Sequence, residues 1–250
     1  MILSRSKKFI FFRVAKTGST TAEVMLRMSN AFDLSQDTLT GTRDWSFPTV
    51  NRIPQRYPDP EGLFEWPHAR PIDLIKLGVM TLEELREYDC YAFLRPTGAR
   101  FVSGYLHNTR TTRWRKWRGE YGFEPEQFMK RWREDHDHFS AWDIIGRPQT
   151  EWFFVDGEQL VTPLDFENYE EELKNLIRKV GGYEFAEIPK LNTAWQIREA
   201  EDKRKGWARA IWDTYPEVRE EAMERYKEDI RFYEENFGEH PDHHRLHKCA

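Results

Sequence analysis

The residues best suited to chemistry lie in two short stretches. Val14-Ala15-Lys16-Thr17-Gly18-Ser19-Thr20-Thr21 joins an apolar run, Lys8 to Val14, to a segment that puts Ala22, Met25, Leu26 and Ser29 on one helical face. Strand, tight turn and helix in that order make an anion cradle. Gly18 permits close approach of the backbone, and the helix start offers unpaired N–H donors to a phosphate or sulfate. The order G-x-x-x-x-G-K-[ST] of nucleotide triphosphatases is absent, because Lys16 precedes its glycine. An ordinary capped helix after a strand is the plainer reading of this loop taken alone. In the second stretch, Phe93 to Tyr105, Arg95 ends a buried run and Ser103 follows eight residues later. An arginine leaving a strand at its carboxyl end stands where open α/β sheets bind ligands, and its guanidinium can grip a phosphate through two donors while the serine hydroxyl adds another. Arg95 on its own reads as a structural ion-pair partner.

A third group is the acid-free basic run Arg110, Arg113, Trp114, Arg115, Lys116, Trp117 and Arg118. It suits an acidic acceptor such as a sulfated or uronic-acid sugar chain, with Trp114 or Trp117 stacked on a ring. A solvated face packed on the acidic last helix, or a grip on single-stranded nucleic acid, fits the same residues. His240, His243, His244, His247 and Cys249 could hold a metal, but a polar terminal tail over 240–250 is the stronger reading. His136 and His138 read as surface residues.

The elements that must position these groups alternate between strand and helix. After the cradle, residues 31–67 are rich in Pro, Asp and Thr and read as a long irregular excursion. Pro71 opens a helix through Lys76 that Gly78 ends, and Thr81 with Glu84 has capping-box spacing for the next. Cys90–Leu94 reads as a second buried strand, followed by a helix from Phe101 to His107. Glu151–Val155 and Leu164–Phe166 look like strands, and Leu173, Leu176, Ile177 and Val180 make a helical stripe closed by Gly181-Gly182. Pro216 begins a last helix whose apolar positions run from Val218 to Phe237. Buried strands alternating with helices predict an α/β fold: one three-layer domain over residues 1–250 with a central, mainly parallel sheet.

Composition narrows the class. With 250 residues, 39% hydrophobic and 32% charged, the chain can bury a full core without staples. A mean hydropathy of −0.82 argues against a spanning segment, and Met1 to Lys8 lacks the apolar core of a secretory signal, so a cytoplasmic location without membrane attachment is expected. A net charge of −5 provides no general reason to bind nucleic acid or anionic membrane. Cys90 and Cys249 are too few and too far apart for a disulfide framework or a zinc spacing.

Taken together the motifs resemble a known family. Lys16-Thr17-Gly18-Ser19-Thr20-Thr21 resembles the loop that binds the 5′-phosphosulfate in sulfotransferases using 3′-phosphoadenylyl sulfate (PAPS). Arg95 with Ser103 resembles that family's 3′-phosphate pair, and Phe101-Val102-Ser103-Gly104-Tyr105 fits its usual ending. Pro148-Gln149-Thr150, Phe166-Glu167-Asn168, Pro189-Lys190-Leu191-Asn192, and Tyr226 with Asp229 are similar to blocks of the carbohydrate, heparan-sulfate-2-O-type branch. One departure is that Pro96 and Thr97 follow Arg95 where the family has Asp or Asn and then Pro.

The resemblance implies a P-loop-like sulfotransferase fold, PAPS as co-substrate, no metal, and a hydroxyl of a carbohydrate or similar acceptor. It implies that Lys16 serves the leaving oxygen beside backbone donors of Gly18 to Thr20, and that His68, in Glu65-Trp66-Pro67-His68, removes the acceptor's proton. Glu61 and Glu65 are rival bases. A small-molecule kinase using the same cradle is the enzyme alternative, with the missing glycine-lysine order against it. A non-enzymatic module that binds anionic glycans through Arg110 to Arg118 is the other, and it would not depend on Lys16.

Overall fold

The computed structural model describes residues 1–32, 38–39, 56–59, 62–65, 68–110, 146–189 and 215–240. The chain divides into two compact units, Met1–Leu94 with Gln149–Asn192, and Arg95–Pro148 with Thr193–Ala250. No run of glycine or serine marks the crossing at Leu94–Arg95, which falls between the end of a strand and the start of a helix.

The strands, all in the first unit, are β1 (Ile2–Ser4), β2 (Phe9–Phe11), β3 (Thr38–Leu39), β4 (Arg56–Asp59), β5 (Gly62–Glu65), β6 (Asp89–Leu94), β7 (Phe154–Val155), β8 (Glu158–Gln159) and β9 (Thr162–Asp165). The helices are α1 (Ser19–Met28), α2 (Pro71–Lys76), α3 (Leu82–Arg86), α4 (Thr97–Arg110), α5 (Tyr169–Lys179), α6 (Pro216–Arg225) and α7 (Lys227–Phe237); α4, α6 and α7 belong to the second unit. A five-stranded sheet runs in the order β3-β1-β2-β6-β9. Its centre is parallel, β2 with β6 and β6 with β9, and β1 and β3 extend it antiparallel at one edge. With its helices this is an α/β fold.

Side-chain alternation along the strands decides what each sheet face meets. Ile2, Phe9, Phe11, Tyr91, Phe93 and Leu164 share a buried cluster with Ala22, Met25 and Leu26 of α1 and Leu173, Leu176 and Ile177 of α5. The α1 face expected from spacing is thus the buried one, and Ser29 beyond it is 1% exposed. Leu3, Ile10, Ala92 and Leu94 alternate with the first set and are buried as well, as strands covered on both faces require. Short β1 escaped the sequence reading because two apolar residues leave too little pattern to recognise.

Caps close the connecting helices as their residues predict. Thr81 Oγ1 accepts from Glu84 N at 3.1 Å while Glu84 Oε2 accepts from Thr81 N at 2.7 Å, a reciprocal capping box. Pro71 opens α2, and Gly78 beyond its end has φ of 64°. Several boundaries differ from the sequence reading. In the 31–67 stretch Ala31 and Phe32 are buried in the core cluster, and β3 and the β4–β5 hairpin follow, with Pro58 paired to Leu63 on an isolated two-stranded ribbon that tolerates a proline; residues 33–37, 40–55, 60–61 and 66–67 lie outside the described residues. Residues Gln149–Trp152 form a 3-10 helix and only Phe154–Val155 a strand, with Phe153 N bonded to Thr150 O at 2.9 Å. The last strand is Thr162–Asp165 instead of Leu164–Phe166.

In the second unit α4 starts at Thr97, four residues ahead of the apolar pattern, with Arg100 N bonded to Pro96 O at 2.9 Å. The expected single last helix breaks at Tyr226, whose hydroxyl donates to Gly146 O at 3.0 Å. Arg100 lies 5.8 Å from the centre of the Tyr226 ring, and α4 packs on α6. His240, expected in a flexible tail, is fully buried, and its Nε2 accepts from the first amide of α4, Thr97 N, at 3.3 Å. Residues 241–250 lie outside the described residues. Phe93 is fully buried at the sheet centre, 6.2 Å from the Phe11 ring in an edge contact. Phe93→Ala is expected to lower the unfolding free energy by about 3–5 kcal/mol in urea titrations.

Candidate active site

The site grows from the carboxyl end of β2, where the chain must leave a parallel strand and start a helix within a few residues. Ala15 to Gly18 make that turn, with φ of 69° at Lys16 and 71° at Gly18. Positive φ at a lysine is uncommon and costs free energy, so the surrounding contacts must hold it. Thr17 Oγ1 and Ser19 Oγ both donate to Val14 O, at 2.9 and 3.0 Å, and both side chains are buried. Their hydroxyls therefore brace the turn. At Gly18 a Cβ would come within 2.8 Å of the Tyr169 ring. Tyr169 OH donates to Gly18 O at 2.8 Å, its ring packs 4.4 Å from that of Phe93, and burial pushes its phenol pKa up.

Tyr169 reaches the turn because Asp165, at the end of β9, folds the next residues. Its Oδ1 accepts from Glu167 N at 2.9 Å and its Oδ2 from Asn168 Nδ2 at 2.7 Å. That explains the Phe166-Glu167-Asn168 block physically: it is the bend that starts α5 with a tyrosine against the cradle.

Gly18 is the N-cap of α1 and supplies no side-chain cap, and no acid occurs in the first turn. The helix start is thus a set of backbone donors with positive partial charge and no internal anion from its own first turn. Beneath it lies a buried ionic group. Arg13 Nη1 donates to Glu23 Oε2, and Arg27 Nε and Nη2 donate to Glu23 Oε1 at 3.0 and 2.5 Å. The Arg13 and Glu23 side chains are 3% and 4% exposed. Burial alone would raise the Glu23 carboxyl, but Arg13 and Arg27 outweigh it and hold its pKa below the usual value. Arg13 Nη2 also donates to Thr20 Oγ1 at 2.9 Å.

His68 is partly buried, and its Nδ1 lies 2.8 Å from Arg13 O. A carbonyl only accepts, so Nδ1 carries the proton and Nε2 keeps the basic lone pair. Burial, with the Arg13 and Lys16 charges, lowers the His68 pKa to about 3 against the resisting carbonyl bond. The imidazole is therefore neutral at physiological pH. Trp152 Nε1 donates to His68 O at 3.1 Å, and Arg70 bridges Asp73 at 2.8 Å and Glu151 at 2.6 Å just beyond it, which fixes the segment.

Lys16, Gly18 to Thr21 and His68 thus gather in the first unit, around one turn. Arg95 and Ser103 belong to the second unit, Arg95 just ahead of α4 and Ser103 partly buried in its second turn. Arg110 ends α4 and Glu65 ends β5, each described by backbone alone, while Glu61, Arg113, Trp114, Arg115 and the rest of the basic run, His136, His138 and residues 190–192 lie outside the described residues.

Sequence reasoning missed Arg13, Glu23, Trp152 and Tyr169. The available signal was Arg13 ending an apolar strand, with Glu23 and Arg27 the only charges in α1. Among the described residues no group of three metal-ligating side chains occurs and no helix is long and apolar enough to cross a membrane.

Compared with known proteins, residues 1–235 match the model described as the sulfotransferase family, a span that takes in parts of both units. No curated protein and no solved structure matches.

Two outcomes follow from this geometry. Gly18→Ala is expected to cost at least about 2 kcal/mol in chemical denaturation, since it adds left-handed strain to a collision with the partly buried Tyr169 ring. In nitrogen NMR titrations His68 is expected to show the Nδ1–H form without protonating between about pH 8 and pH 5. An unfolded histidine takes a proton near 6.5 and folded His68 only near 3, so this contribution to stability is complete above pH 6.5 and lost as pH falls toward 3.

Proposed function

The chain belongs to the sulfotransferase family, and on that premise we propose that it transfers a sulfuryl group from PAPS to a hydroxyl of a carbohydrate or similar acceptor. The observation that carries this reading is the pairing, around one turn, of a cationic cradle with a neutral imidazole whose basic nitrogen is Nε2. The residues fit an anionic donor: the α1 start offers backbone N–H groups with no acid in its first turn, and Lys16 sits on the turn just ahead.

When bound, PAPS supplies the transferable sulfuryl group and a phosphate as its leaving partner. Lys16 holds positive charge and a donor proton for the oxygen that gains negative charge, and the Gly18 to Thr21 amides share that load. His68 Nε2 accepts the proton of the attacking hydroxyl, and its Nδ1–H bond to Arg13 O holds the ring in that tautomer. For the 3′-phosphate the proposal carries Arg95 and Ser103 on their sequence pattern alone. Membership of the carbohydrate, heparan-sulfate-2-O-type branch, and an acceptor role for Arg110, Arg113, Trp114 and Arg115, rest on sequence in the same way.

Calorimetry should give binding of 3′-phosphoadenosine 5′-phosphate (PAP) tighter than ATP, and a preference for ATP would overturn the donor assignment. Lys16→Ala is expected to reduce transfer of labelled sulfate by about 100-fold or more, and His68→Gln by a similar order, with unchanged circular dichroism. Wild-type turnover in either variant would refute that residue's role.

A further inference from the structure

We infer that Arg13 is a positioning residue for the donor site, holding the Thr20 hydroxyl with its proton turned away from the guanidinium so that it can donate to the 5′-phosphate end of the donor. The inference rests on the PAPS reading and deepens it, because neither the family pattern nor the sequence motifs assign Arg13 a part.

Its geometry is specific. One arm of the guanidinium, Nη1, is tied to Glu23, and the other, Nη2, meets Thr20 Oγ1 at 2.9 Å. A hydroxyl oxygen that accepts from a guanidinium cannot aim its own proton at that same donor, so Thr20 becomes a donor toward the other side. Thr17 and Ser19, by contrast, both donate inward to Val14 O. Thr20 is thus set apart within the turn, and Arg13 sets it apart.

Glu23 makes this positioning rigid. It sits one turn into α1, buried, and is clamped from its other oxygen by Arg27 at i+4. Arg13 therefore cannot swing without leaving a buried carboxylate half-paired, which is strongly disfavoured. The same residue's carbonyl holds His68 Nδ1, so a single position at the strand end orients a donor through its side chain and the base through its backbone.

The test is a double-mutant cycle on the full chain, read as PAP affinity by calorimetry. Thr20→Val should weaken PAP about tenfold while Thr20→Ser stays within about threefold of wild type. Arg13→Gln should weaken PAP by a similar factor, and Arg13→Gln combined with Thr20→Val should be little weaker than the worse single variant, because both remove one interaction. Should Arg13→Gln fail to fold with Glu23 stranded, Arg13→Gln/Glu23→Gln replaces it in the cycle with the same expectation. Effects that multiply, or an Arg13 variant that folds and binds PAP normally, would overturn the role of Arg13. Failure of the unaltered chain to bind PAP would remove the donor reading, and this inference with it.

Discussion

Everything in the first unit's site depends on a steric constraint at Gly18. The chain must leave β2, turn and enter α1 while the Tyr169 ring lies where a Cβ would be and the tyrosine hydroxyl holds the glycine's carbonyl. Only a residue without a side chain, at φ of 71°, satisfies both. Thr17 and Ser19 then fold their hydroxyls onto Val14 O, and Lys16 is left in a left-handed conformation that a freely chosen turn would avoid. The shape of the turn after β2 follows from a contact between Gly18 and a residue 151 positions later.

The electrostatics solve a different problem. In the proposed mechanism a general base must stay unprotonated near cations that attract an anion, and those demands agree: burial opposes a proton on His68, as do the charges of Arg13 and Lys16. The cost is basicity. A histidine with so low a pKa is a weak base in the resting protein, and a negatively charged neighbour would restore part of its proton affinity. The burial of Glu23 between two arginines allows the cations to remain charged inside the unit without a lone carboxylate or guanidinium.

Local patterns proved readable where the interaction is local. The α1 face of Ala22, Met25 and Leu26, the Thr81–Glu84 box, the Pro71 start and the β6 core all follow from spacing within one element. The strand, turn and helix around Lys16 were readable for the same reason, since they are contiguous. Tyr169, Trp152 and the Arg13–Glu23 pair were not, because they depend on which elements the sheet order brings together and on the turn geometry between a strand end and a helix. His240 looked like tail because a polar run carries no sign that one of its imidazoles finds an unpaired helix amide. The Arg95 and Ser103 motif is legible as a pattern, but its two residues, just ahead of α4 and within it, lie in a unit whose bounds no composition shift announces.

The first unit is discontinuous: β9 and α5 return to it after the chain has passed through residues 95–148. During vectorial synthesis β2 and β6 emerge early, while the strand that pairs along the far side of β6 arrives some seventy residues later. Until then β6 presents an open, apolar edge, and the tyrosine whose hydroxyl holds the Gly18 carbonyl has not been made. Nascent chains therefore hold Lys16 and His68 before they possess the tyrosine that shapes the turn beside them, and that part of the fold is complete only after most of the polypeptide has left the ribosome.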